Sequence, residues 1–132
     1  MDFIDRLQDR INTITGLPFE CLTDYLDAEP GLRVYSLSGG QVVQQYMDGS
    51  KEEAINFEIA IRDSNSAEIE HALWIIQSEL ENLHAGEIQS DDGSFEFNGL
   101  TITNKPFLNQ EDEKGLFTYM LDVQANITTE EQ

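Results

Sequence analysis

An α+β domain is what this sequence predicts: a mostly antiparallel or mixed sheet with two helices packed on one face, in the order α-β-β-α-β-β. Three observations carry that expectation. Apolar residues recur at helical spacing in two separate stretches, near residues 2–15 and 67–84. Between and after them, apolar and polar residues alternate with period two, most cleanly at Ile55, Phe57, Ile59 and Ile61 and again from Phe117 to Ile127. No repeat, low-complexity tract or linker divides the 132 residues, so they read as a single domain, 1–132, structured over 2–128 with a frayed tail at 129–132.

The first helix spans about Asp2 to Thr15, with Phe3, Ile4, Leu7, Ile11 and Ile14 on its apolar stripe. Gly16 and Pro18 stop it, because Gly accepts a left-handed conformation and Pro cannot continue the helix. Leu17 to Leu26 reads as a short segment of about one helical turn, closed by the turn Asp27-Ala28-Glu29-Pro30-Gly31. Leu32 to Leu37 and Gln41 to Met47 read as two strand pieces broken at Ser38-Gly39-Gly40. Asp48-Gly49-Ser50-Lys51 then turns the chain into the strand that is clean from Ala54, which makes an antiparallel hairpin. The second helix runs about Ala67 to His84. Asn65 or Ser66 caps it, Ile69, Leu73, Ile76, Leu80 and Leu83 mark its face, and Gly86 follows it. Trp74 and Ile75 widen the stripe; broad packing on the sheet explains them, and so does a subunit contact at Trp74, where Trp is enriched.

Asn98-Gly99 is a two-residue turn signal between Phe95-Phe97 and Leu100-Ile102, and Lys105-Pro106 reads as the end of that second strand. A polar loop, Asn109 to Gly115, precedes the long final strand.

Charge excludes more than it assigns. Lys plus Arg total 7 against 26 Asp plus Glu, a formal net charge of −19. Sequence-independent nucleic-acid binding and docking on anionic membranes both need a basic surface. Both halves are acidic, −7 over residues 1–66 and −12 over 67–132, so the charge belongs to the folded surface. It is read as solubility, as a wall that keeps passing DNA from sticking, or as an imitation of DNA. No apolar run approaches the roughly 18 residues of a membrane span. The lone Cys21 reads as a buried small hydrophobe. No phosphate loop, nucleophile elbow or zinc spacing is present, and His71 and His84 lie too far apart on one helix to share a metal. Asp91-Asp92-Gly93 and Glu111-Asp112-Glu113 do not match a calcium loop and read as solvated turns. The expectation is a protein that is not an enzyme, with no cofactor and no metal.

The segments FIDRLQDRINTITGLPF, EAINFEIAIRDSNSAEIEHALWIIQSEL and LFTYMLDVQANI, in that order around a hairpin, resemble phage tail terminators. They are most similar to the small minor capsid proteins encoded just before the tail tube protein in long-tailed phages of Gram-positive bacteria. The likeness covers about residues 2–128. It implies a virion structural protein, assembled in the bacterial host cytoplasm, that forms a hexameric ring on the tail tube and stops its growth. The implied partners are further copies of itself, the tail tube protein and a head-tail connector protein, with DNA only as passing cargo and no membrane. Interface residues under that reading are Asp48, Gly49, Ser50, Lys51, Glu52 and Glu53 at the hairpin tip and Gln110, Glu111, Asp112, Glu113 and Lys114 in the late loop, or else these are ordinary turns. The competing class is an acidic binding protein, a DNA mimic or an inhibitor of a nucleic-acid enzyme.

Overall fold

The computed structural model describes residues 3–17, 19–23, 30–37, 41–90, 93, 95–111 and 115–129. Its elements run α1 (Phe3–Asn12), β1 (Cys21–Leu22), β2 (Gly31–Ser36), β3 (Gln41–Gln45), β4 (Lys51–Asp63), α2 (Ser66–Glu81), β5 (Glu96–Glu111) and β6 (Phe117–Thr129). The class is α+β, and the six-stranded sheet is mixed: β1 pairs parallel to β2, while every other pairing is antiparallel. The order is thus richer than α-β-β-α-β-β, because two residues at Cys21 form a strand too short to show periodicity and the first strand region is split in two.

β4 and β6 form the spine. They pair from Lys51↔Thr129 to Asp63↔Phe117 without a single register shift. Thr129 is therefore a strand residue, and the frayed tail expected from residue 129 is corrected at that position. Since successive side chains alternate, the odd residues of both strands share one face. Phe57, Ile59, Ile61, Leu121, Val123, Ala125 and Ile127 lie there, buried in one cluster with Leu32 and Val34 of β2 and with both helices.

The helices attach through different chemistry. On α1, Phe3, Leu7 and Ile11 are buried, and the Phe3 ring meets Phe57, Phe95 and Phe97 at centroid distances of 5.3, 5.1 and 6.1 Å. Asn12 treats β1 as a strand would: its amide donates to the Cys21 carbonyl (3.1 Å) and accepts from the Cys21 N–H (2.8 Å), while Gln8 donates to the same carbonyl at 2.8 Å. The helix ends at Asn12, three residues before the expected Thr15, and Gly16 takes φ 85 to turn the chain. On α2, the Asn65 side chain accepts the Glu68 N–H at 3.2 Å as the N-cap. This helix stops at Glu81, so His84 is exposed in the following turn and does not sit at the dipole end. Arg10 of α1 reaches Glu79 (3.8 Å) and Glu87 (3.5 Å), tying the two helical regions together.

β5 departs most from expectation. Asn98-Gly99 is not a turn: Gly99 lacks the positive φ that such a turn requires, and the strand runs through it. Nor does Lys105-Pro106 end the strand. β5 is the sheet's edge, where a missing N–H costs no ladder bond. Four register shifts give β5 sixteen residues, Glu96–Glu111, against the twelve of Phe117–Thr128. At the first, Asn98 is the extra residue, and its amide donates to Thr128 Oγ1 at 2.8 Å. The polar loop is correspondingly shorter, since residues 109–111 belong to β5.

Leu73 is fully buried between α2 and the sheet. Leu73→Ala is expected to destabilise the protein by about 2–5 kcal/mol. Denaturant unfolding checks this; a loss under about 0.5 kcal/mol would place that helix face at the surface.

Candidate assembly surfaces

The β3–β4 hairpin forms an arm. Its turn spans Tyr46 to Ser50: the Tyr46 N–H donates to the Ser50 carbonyl (2.8 Å) and the Gly49 N–H to the Tyr46 carbonyl (3.1 Å), with Gly49 at φ 90. Asp48 shapes it from inside. Its Oδ1 accepts the Ser50 hydroxyl at 2.6 Å and the Ser50 N–H at 3.0 Å, which holds its carboxyl below the usual range. Ser50 is buried by that contact. Lys51, Glu52 and Glu53, expected in the tip, are instead the first residues of β4, paired with both β3 and β6. Glu52 accepts the Tyr46 hydroxyl at 3.3 Å and Glu53 the Thr129 hydroxyl at 2.9 Å. Beside the exposed Gln44, Gln45 and Asp48, the arm also exposes large apolar side chains: Val42, Val43, Tyr46 and Met47, the last completely. The sequence treats them as strand positions, and exposed large hydrophobes on so polar a chain are the signal that periodicity alone does not rank.

The second loop region lies at the other end of the spine. Gln110 pairs with Thr118, and Glu111 with Phe117, beside the Asp63 end of β4. Asp112, Glu113 and Lys114 lie outside the described residues, as do Asp91 and Asp92 of the other acidic turn. The arm begins at Lys51. Twelve residue steps along β4, about 40 Å, therefore separate the two candidate regions. They are not one site.

A second apolar surface lies between α2 and β5. Trp74 is 64 % exposed over a cavity of about 340 Å³ lined also by Glu70, Gln77, Lys105, Pro106 and Tyr119. The Tyr119 hydroxyl donates to Glu70 at 3.0 Å. Leu108, exposed, pairs with Tyr119 and shares its side of the sheet. Trp74 thus borders an open groove and is not packed broadly on the sheet.

The face of the spine away from the helical core is polar and cross-linked strand to strand. Tyr35 of β2 donates to Glu58 Oε1 at 2.5 Å, Glu58 lies opposite Asp122, and Asn104 of β5 donates to Asp122 Oδ2 at 2.8 Å. One row higher, Gln124 donates to Asn56 at 3.0 Å. Asp122 Oδ1 is buried with no hydrogen-bond partner among the described residues, on the strand pair that sets Asp122 opposite Glu58. Burial, followed by the bond to Asp122, raises the Glu58 carboxyl above its usual range. The folded state therefore holds the Glu58 proton to a higher pH than the unfolded chain does. The stabilisation from this pair is complete below the unfolded carboxyl value and is lost as pH rises through the raised folded one. Glu58→Gln keeps a donor toward Asp122 at every pH. The variant should melt with the wild type at about pH 4 and above it at about pH 8. A constant gap across that range would mean that the fold does not raise the Glu58 carboxyl.

Cys21 is fully buried, and burial pushes its thiol up to about 12. Among the described residues no cluster of three or more His, Cys, Asp or Glu side chains could hold a metal ion, and no helix is long and apolar enough to cross a membrane. The described residues build surfaces of contact: an apolar arm, an apolar groove and a polar sheet face.

Comparisons with known proteins identify the family. The chain belongs to the bacteriophage tail terminator family, whose model, described as "Bacteriophage tail terminator protein", matches residues 8–129. It is a structural protein of the phage tail. Among solved structures it is similar to a chain of the "Virion of native gene transfer agent (GTA) particle". That match has a TM-score of 0.59 and 10 % identity, and covers 95 % of this chain and 91 % of that one. At that identity the likeness is one of fold. No curated protein matches by sequence.

Proposed function

We propose that this protein caps the tail tube as a ring of identical subunits, six in number, which stops tube polymerisation and joins the tail to the head. The ring assembles in the host cytoplasm, and DNA passes through it as cargo. Family membership gives the setting. The observation that carries the capping role is the arm, which presents Val42, Val43, Tyr46 and Met47 to solvent on a chain of net charge −19. Exposed apolar residues on a rigid hairpin cost solubility unless a partner covers them. A tail tube subunit, a connector subunit or a neighbouring copy would do so. An acidic nuclease inhibitor needs carboxylates on display and gives no reason for an apolar arm.

Replacing Tyr46–Ser50 by Asn-Gly tests this. A two-residue turn suits the twist of β3 and β4, and loop-closure entropy changes slowly with length, so stability should shift by about 1 kcal/mol or less. The shortened protein should fold but fail to complete tails in a phage complementation assay. Normal plaques would remove the arm from the function. An inhibitor would show no assembly defect and would weaken only with the charge deleted.

A further inference from the structure

The geometry points to a head-to-tail contact in which the arm of one copy, led by Tyr46 and Met47, docks into the Trp74 cavity of the next copy. This rests on the ring reading and specifies its interface. The two surfaces sit at diagonally opposite corners of the subunit. The arm lies on the β2 side of β4 at its Lys51 end. The cavity lies beyond β6, at β5, near the row that joins Phe107, Met120 and Ala60. From the Lys51 row to the Ala60 row is nine steps of about 3.3 Å, and three strand spacings of about 4.8 Å separate the lanes. Met47 is thus roughly 30 Å from its own Trp74, and only another copy can bring the two together. Different surfaces on opposite corners are what a heterologous, ring-closing contact requires.

The two surfaces also match in chemistry. A cavity of about 340 Å³ is at the small end of ligand pockets, which run from roughly 300 to 1,000 Å³, and suits one or two side chains. Its Trp and Tyr walls favour a thioether against the ring, and Met and Tyr are the side chains the arm presents. Charge gives the contact little: Lys105 lines the cavity, but so does Glu70, and the arm carries Asp48, Glu52 and Glu53 against the single Lys51. Pairing through the strand edge is disfavoured, because β5 is interrupted by four bulges and Pro106. Side chains must make the contact.

Mixing two variants tests the proposal. Met47→Glu spoils the arm and leaves the cavity, and Trp74→Glu does the reverse. Both positions are exposed, so both variants should fold, which circular dichroism verifies. In about 0.5 M salt, where screening acts within roughly 4–5 Å, wild type should form closed oligomers by light scattering. Each variant alone should stay at the 15.0 kDa monomer, and their mixture should stop at a dimer with one intact junction. Oxidising Met47→Cys/Pro106→Cys should add a covalent ladder of multimers. The buried Cys21 stays silent, and neither single cysteine variant should give the ladder. Wild-type oligomers without the ladder, or a variant mixture that remains monomeric while wild type assembles, would overturn the arm-to-cavity contact and leave the ring standing. Cross-linking of the arm to added tail tube protein in place of a second copy would also overturn it. Wild type that stays monomeric, alone and with tail tube protein, would overturn the ring reading itself.

Discussion

Thirteen consecutive pairs between β4 and β6, with no slip from Lys51↔Thr129 to Asp63↔Phe117, set the terms for every other part of this molecule. A shift of one residue would exchange the two faces of the sheet. The odd residues would then leave the core, and the Glu58–Asp122 row would turn into it. With the register held, Phe57, Ile59, Ile61, Leu121 and Val123 present one apolar surface to both helices. Each remaining strand then takes a lane: β2 and β3 share the free side of β4, and β5 takes the free side of β6. The position of the arm and the width of the Trp74 groove are consequences of those lanes.

What could be read from sequence follows the same division. Strict alternation in β4 and β6, and the 3.6 spacing in α1 and α2, were legible because burial on one face imposes a period. Asn65 as a cap was legible because its chemistry is local, whereas α1 ends at Asn12, four residues short of Gly16. β5 was not legible. Asn98-Gly99 and Lys105-Pro106 carry turn and breaker signals, and only a place at the sheet edge, a tertiary fact, lets the chain run through them with bulges. β1 offers two residues, and no period can be seen in two. At the arm the error lay in the opposite direction. The strand expected to reach Met47 ends at Gln45, because the Asp48–Ser50 bonds and Gly49 close a turn over Tyr46 to Ser50 that leaves Tyr46 and Met47 exposed. Asp48, Gly49 and Ser50 lie in the turn, whereas Lys51, Glu52 and Glu53 open β4.

The charge balance constrains how such a chain can associate. Arg6 pairs with Asp9, Arg10 with Glu79 and Glu87, and Arg62 donates to Thr118. Lys51 and Lys105 are the described lysines, and neither makes an ion pair among the described residues. A contact between identical copies, each at −19, has too few cations to rest on ion pairs, and every added copy adds repulsion that only salt screens. The attraction must come from burial of apolar surface, which is indifferent to sign. Large apolar side chains are accordingly exposed at the hairpin arm and along the α2–β5 groove, where Met47 and Trp74 are the most exposed.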